Sequence, residues 1–327
     1  MVRTISNEEV AAALPMRRAI AVMREAFADL AAGRVVMPPR SALAVPEHDA
    51  ITYFMPAYSR GTGMLAQKTV SVHPRNLSAG LPVVQAILSL FDGSNGSALA
   101  VMAAEYLTAL RTGAVSGLAT QYMARPDSQV LGVLGTGAQA RTQIWAVCEV
   151  LPIRTVRVWS LRLEAEYAGL RQFLSGRVAA SIEPAPGPRE AVSGADVLVL
   201  ATTSRRPAID GNWVSDGTHI NAVGSHTPDA RELDTLTVSR ARVVCDHLAA
   251  CLAEAGDLIL PLGEGAVDAT HYGLELADLV TGRKAGRTAE REVTLFKSVG
   301  LALEDLAAAT AVYRALSGRN PQPSGAN

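Results

Sequence analysis

The chain has 327 residues, 49% of them hydrophobic and 19% charged, with a net charge of −1. That length predicts two domains with real cores, and near-neutral charge without a basic run excludes nucleic acid as the main partner. Cys148, Cys245 and Cys251 form no CxxC pair, which argues against a disulfide scaffold or zinc ribbon, and no apolar run reaches the roughly 18 residues of a membrane span. With no apolar signal segment in MVRTISNEEV, a soluble cytoplasmic protein with reduced thiols is expected.

Ser6-Asn7-Glu8-Glu9 has the form of a capping box, and after Pro15 the residues Met16, Ile20, Met23, Phe27 and Leu30 repeat at helical spacing until Gly33. A Pro-rich exit, Met37-Pro38-Pro39-Arg40, leads to short alternating stretches at Ser41–Val45, Ala50–Met55, Leu65–Val72 and Val83–Phe91. Turn signals between them predict an antiparallel or mixed sheet. A helix from Ala104 to Ala124 precedes Arg125-Pro126-Asp127, and an apolar strand follows at Val130–Leu134. Further strands are predicted at Thr155–Trp159, Arg177–Ile182, Asp196–Ala201, His219–Val223 and Arg242–Cys245, in the rhythm of a doubly wound parallel sheet. Gly-rich acidic loops are expected at Gly256–Gly265, a final amphipathic helix at Lys297–Leu316, and a disordered tail, NPQPSGAN.

The informative stretch follows the Val130 strand. Gly135-Thr136-Gly137-Ala138-Gln139-Ala140 turns into a helix, which is the setting in which a GxGxxA pattern signals dinucleotide binding. Gly135 permits the tight turn, Gly137 lets the backbone approach a pyrophosphate, and Ala140 allows close packing of helix and strand. The second strand ends in Val158-Trp159-Ser160-Leu161-Arg162, without the acid that would bind the ribose hydroxyls of NAD. Ser160 with Arg162 suits a 2′-phosphate, so NADP(H) is favoured over NAD(H). No His, Cys and acid spacing resembles a metal site, so no metal is expected.

Lys68 in QKTVSVHPRN, Arg111 in LTALRTGAVSG, the GTGAQA turn, GSHTPDARELD (Gly224 to Asp234) and FKSVGLALED (Phe296 to Asp305) occur in one order from about Pro39 to Asp305. In these motifs the chain resembles the ornithine cyclodeaminase/mu-crystallin family. The resemblance implies an α/β fold, a Rossmann doubly wound parallel sheet at 121–302 plus a second α+β substrate-binding and dimerisation domain at 1–120, completed by a C-terminal helix at about 303–320. It also implies a homodimer and hydride exchange between a nicotinamide and the α-carbon of a small imino or amino acid. Arg40, Lys68 and Arg111 match the family's carboxylate-binding and active-site positions, and a planar guanidinium suits a carboxylate. Read alone, Arg40 is a solvated loop arginine beside prolines, while Lys68 also fits an edge-strand charge and Arg111 one side of a structural ion pair. Lys68 is also the leading candidate to hold or deliver the imine proton, as a lysine among cations and apolar walls loses proton affinity.

The expected cofactor contacts are Arg111, Thr112, Gly135, Thr136, Gly137, Ala138, Gln139, Ser160, Arg162, Thr202, Val223, Gly224 and Ser298. Two departures from the cyclodeaminase pattern are informative. His226 stands where those enzymes carry an aspartate, and Tyr53 stands where they carry a glutamate. A deaminating cyclase needs acids for a second ammonium, whereas a reductase of a cyclic ketimine needs neither. The expectation is therefore an NAD(P)H-dependent reductase of a pyrroline- or piperideine-2-carboxylate, with His226 as an acid–base candidate or a loop residue. Cyclodeaminase or amino-acid dehydrogenase activity is the alternative, followed by a non-enzymatic NADP(H)-binding protein.

Overall fold

The structure is a computed structural model that describes residues 2–318; the predicted tail and the last two residues of the predicted 303–320 helix lie outside the described residues. In chain order it forms β1 (Arg3–Ile5), α1 (Asn7–Ala13), α2 (Met16–Ala31), β2 (Val35–Val36), β3 (Ser41–Val45), β4 (Ala50–Ser59), β5 (Met64–Val72), β6 (Val84–Asp92), β7 (Ala98–Ala103) and α3 (Glu105–Met123). There follow β8 (Val130–Leu134), α4 (Ala138–Val150), β9 (Thr155–Trp159), α5 (Leu163–Leu174), β10 (Ser181–Pro184), α6 (Pro188–Val192), β11 (Val197–Leu200) and β12 (His219–Ala222). The chain ends with α7 (Thr235–Arg240), β13 (Ala241–Cys245), α8 (Leu248–Glu254), α9 (Gly256–Gly263), β14 (Leu274–Glu275), α10 (Leu276–Val280), β15 (Val293–Lys297) and α11 (Ala302–Ser317). Two compact units result, Met1–Arg111 with Leu301–Asn327, and Thr112–Gly300, so the division falls inside α3 rather than at 120/121.

The first unit is built on a seven-stranded sheet in the order β1-β7-β6-β5-β4-β2, with β3 also on β4. Only β1 and β7 pair in parallel. The pleat puts Met55 and Ala57, Ala66, Lys68 and Val70, and Ala86, Leu88 and Leu90 on one face. These residues are buried, and α11 packs on β4, β5, β6 and α2. Helix α2 turns Met16, Ile20, Met23 and Phe27 inward, as their spacing predicts, and Gly33 (φ 68°) follows its end in the left-handed region. The predicted capping box opens α1, with Ser6 Oγ accepting from the Glu9 N–H and the Glu9 carboxylate from the Ser6 N–H. The opposite sheet face leaves Leu43, Leu65 and Ile87 exposed.

The second unit is an eight-stranded, wholly parallel sheet in the order β10-β9-β8-β11-β12-β15-β13-β14. Its central strands read as continuous apolar runs because both faces are covered; all of Val197–Leu200 is buried. This is the doubly wound Rossmann arrangement, α/β, whereas the first unit is α+β. The strand order reverses between β8 and β11, and ligands of such sheets bind beyond the carboxyl ends of the strands at that point.

Three local expectations need correction. The strand expected at Arg177–Ile182 begins only at Ser181, where pairing with Thr155 starts; the Arg177 guanidinium lies over the Phe173 and Trp145 rings and ties that stretch to the helices. Gly256–Gly263 is helix α9 rather than a loop, because its apolar residues, including Leu258 and Pro261, have a core to enter. Lys297 ends the unpredicted strand β15 instead of starting a helix, and Gly300 (φ 79°) separates that strand from α11.

Candidate functional site

In the second unit the parallel strands deliver the expected cofactor residues to one edge of the sheet. Gly135 follows β8, Ser160 follows β9, Thr202 lies just beyond β11, Val223 and Gly224 follow β12, and Ser298 follows β15. Gly135 has φ 118°, and a Cβ there would sit 2.4 Å from the Ala201 carbonyl oxygen. Only glycine fits both demands. Gly137 is different. It is the N-cap of α4, exposed, and a Cβ there would meet nothing within 4 Å. The turn thus presents an open backbone cradle at a helix N-terminus, beside Ala138, which suits a pyrophosphate. The buried side-chain oxygen of Gln139, one residue on, has no hydrogen-bond partner among the described residues. Both observations fit a dinucleotide. Thr112 is buried in α3, and its carbonyl accepts from Gln143 Nε2 at 3.3 Å.

The loops at that edge are fixed by buried carboxylates that sequence reading left without a role. Glu232 accepts from the N–H and hydroxyl of Thr202 (2.6 and 2.7 Å) and from the Gly224 N–H (2.7 Å). Asp257 accepts from the N–H groups of Glu232 and Leu233, and Lys297 donates to it at 2.7 Å and to the Ser225 carbonyl at 2.6 Å. Burial raises the Glu232 carboxyl above the usual range, and the neighbouring Asp257 charge adds to this. Burial opposes the Lys297 ammonium, but the Asp257 and Glu232 carboxylates outweigh it and hold its pKa above the lysine range. Asp246 accepts from the Ser298 hydroxyl and from the N–H groups of Val299 and Gly300 at 2.8–2.9 Å. Glu232 and Lys297 lie inside the quoted motifs, so the signal was there: acids among loop residues that need acceptors for their N–H groups.

His226 lies half-buried in the loop after β12, with Nδ1 3.2 Å from the Gly224 carbonyl oxygen. A carbonyl only accepts, so Nδ1 carries the proton and a neutral ring keeps Nε2 as its acceptor. Near the end of β9, Thr136 and Arg162 both donate to Glu166 of α5, and the Arg162 N–H donates to Ser160 Oγ at 3.2 Å. Arg162 is therefore engaged by an acid that a reading of the strand end alone does not include.

In the first unit Lys68 and Arg111 come together. Lys68 lies on β5, a central strand, and is 1% exposed, so it is not an edge-strand charge. Its Nζ is 2.6 Å from Asp305 Oδ2. Arg111 donates from Nε to Asp305 Oδ1 at 2.9 Å and from Nη1 to Glu304. Both acids stand in the first turn of α11, where the helix dipole favours negative charge. The ion-pair reading of Arg111 thus holds in this structure. Burial lowers the Lys68 pKa to about 8, with Asp305 opposing and Arg111 assisting the shift. Arg40 is placed otherwise: its guanidinium lies 4.7 Å from the centre of the Tyr53 ring, a cation–π contact. Tyr53 is opposite Val70 and Met55 opposite Lys68, so Tyr53 shares the sheet face that carries Lys68. Among the described residues no group of three or more His, Cys, Asp or Glu could hold a metal ion, and no helix is long and apolar enough to cross a membrane.

A model of the ornithine cyclodeaminase/mu-crystallin family matches residues 1–320. The ketimine reductase mu-crystallin of Rattus norvegicus is 38% identical over 281 residues, 86% of this chain and 85% of that protein. Among solved structures, the Delta(1)-pyrroline-2-carboxylate reductase of Thermococcus litoralis in complex with NADH and L-proline superposes with a TM-score of 0.94 at 40% identity, covering 97% of this chain and 98% of its own. An archaeal alanine dehydrogenase dimer with bound NAD gives a TM-score of 0.90 at 34% identity, covering 97% and 96%.

Gly137→Ala is expected to change stability by less than about 1 kcal/mol while weakening dinucleotide binding, since the new methyl group enters open space rather than the core. Gly135→Ala should instead cost about 2 kcal/mol or more, from positive φ and the Ala201 clash together; urea denaturation alongside nucleotide titration separates the two. By the same denaturation, Asp305→Ala should cost about 3–5 kcal/mol because it leaves buried cations without their partner. Lys68→Met should cost much less, because Asp305 keeps Arg111.

Proposed function

The chain belongs to the ornithine cyclodeaminase/mu-crystallin family, and from that premise we propose that it is an NAD(P)H-dependent reductase of small cyclic ketimine acids of the pyrroline- or piperideine-2-carboxylate type. The observation that carries this reading is the contact of Arg40 with Tyr53. A deaminating cyclase needs an acid at that place to receive a second ammonium. Here the place holds an aromatic ring whose face is taken by a guanidinium, which repels an ammonium and attracts a carboxylate. The resemblance to a reductase solved with NADH and L-proline supports the same choice.

Reduction of the C=N bond adds one hydride to carbon and one proton to nitrogen. A bound reduced nicotinamide would supply the hydride, and the second unit's glycine turn, with Thr136, Thr202, Val223, Gly224 and Ser298, is the set proposed to hold the dinucleotide. Arg40, Lys68 and Arg111 bind the carboxylate. Arg111 uses Nε and Nη1 on its acids, which fix the plane of the guanidinium. Fixing the carboxylate fixes the α-carbon beside it, so orientation contributes to the rate as well as to affinity. Lys68, ammonium below pH 8 and amine above it, supplies or retains the proton on the ring nitrogen. NADP(H) is the preferred cofactor, because the strand end itself carries no acid and the exposed Arg162, two residues past Ser160, can exchange its Glu166 partner for a 2′-phosphate. The exposed apolar face carrying Leu43, Leu65 and Ile87 supports a homodimer, and the archaeal alanine dehydrogenase is a dimer.

Steady-state reduction of pyrroline-2-carboxylate and piperideine-2-carboxylate with NADPH tests the proposal. Turnover should be measurable for at least one, and Lys68→Ala should lower kcat/KM about 10- to 150-fold, the worth of one charged hydrogen bond. Ammonia release from ornithine or lysine with no ketimine turnover would favour a cyclodeaminase; tight cofactor binding without any turnover would favour a binding protein. With the protonated lysine as the active form, kcat/KM should be level below pH 8 and fall above it, and Lys68→Arg should move that fall to higher pH. In sedimentation velocity the chain should run as a dimer and Ile87→Glu should shift it toward monomer.

A further inference from the structure

The end of strand β9 holds an arrangement that the glycine turn alone does not account for. Ser160 and Arg162 follow the strand, and Glu166 stands in the first turn of α5, four residues beyond Arg162. Its carboxylate receives two donors at once, the Arg162 guanidinium and the hydroxyl of Thr136 between the two turn glycines. Thr136 Oγ1 also lies 3.3 Å from Ser160 Oγ, so these side chains form one connected patch. Thr136 is 2% exposed, while the side chains of Glu166 and Arg162 keep 21% and 56% of their exposure. The patch is therefore anchored on its turn side and open on its arginine side.

In a doubly wound sheet this place, beyond the carboxyl end of the second strand, receives the adenosine ribose. An acid there accepts from the ribose hydroxyls and repels a 2′-phosphate; a free arginine there does the reverse. This chain has both groups, paired with each other, the acid being supplied by the helix instead of the strand. We infer that Glu166 sets the cofactor preference, by holding Arg162 in an ion pair that a 2′-phosphate must break and by offering a ribose hydroxyl an acceptor. NADH thereby stays a usable cofactor beside NADPH. The inference rests on the reading of the second unit as a dinucleotide site and not on the identity of the substrate.

Equilibrium titration of the full chain with NADPH and with NADH, followed by nucleotide fluorescence, tests it without any turnover. Glu166→Gln keeps the size and the acceptor for Thr136 but removes the charge. It should tighten NADPH relative to NADH by about 10-fold. Arg162→Ala should weaken NADPH by about 10-fold or more while leaving NADH within about 2-fold. In the Arg162→Ala background the gain from Glu166→Gln should shrink, because no guanidinium remains to be released. An unchanged NADPH-to-NADH ratio in Glu166→Gln, or an equal gain in both backgrounds, overturns the inference and leaves the dinucleotide site standing. Failure of the wild-type chain to bind either nucleotide overturns both.

Discussion

Four buried charges, Lys68 and Arg111 against Glu304 and Asp305, are the constraint on which the first unit depends. They come from β5, α3 and α11, segments far apart in the chain. Charges this deep are tolerated only when each has a close partner, since desolvation of an unpaired ion costs several kcal/mol. The geometry meets that demand: one carboxylate, Asp305, takes both cations, and the second, Glu304, completes the arginine. Helix α11 is therefore tied to the sheet by ion pairs as well as by packing. The same pairs hold two cationic side chains in fixed positions, the preorganisation a carboxylate-binding site requires.

The second unit solves a related problem with backbone groups. Loops that leave the carboxyl ends of parallel strands expose N–H groups with no strand to receive them. Glu232, Asp246 and Asp257 accept from seven such groups, at Thr202, Gly224, Glu232, Leu233, His247, Val299 and Gly300. Lys297 in turn balances Asp257. The cost of burying three acids is met by satisfied donors, and the loops around the proposed cofactor edge are rigid as a result. Gly137 stands apart from this network, with open space where a Cβ would be.

Much of this was legible in the sequence. The capping box at Ser6, the stripe from Met16 to Phe27, the strand–glycine–helix passage through Gly135 and the apolar parallel strands follow from periodicity and turn chemistry, which act over a few residues. Arg111 stands out because a charge among small apolar neighbours asks for a partner, whereas Lys68 stands out only through the motif that resembles the family's. The strands missed were short ones, β1, β2, β7, β14 and β15, whose strand character comes from their neighbours in the sheet rather than from their own two to six residues.

What the sequence could not settle was which charges meet. It showed that Arg111 needs a partner, and only the folded chain shows that Glu304 and Asp305 supply it from nearly two hundred residues away. It showed no acid at the end of β9, and only the helix that follows brings Glu166 back to Thr136 and Arg162. Local pattern determines the elements and the glycine turn because those depend on backbone geometry within one or two turns. Ion pairs depend on distance in space, which the packing of α11 on β5 and of α5 beside β9 decides.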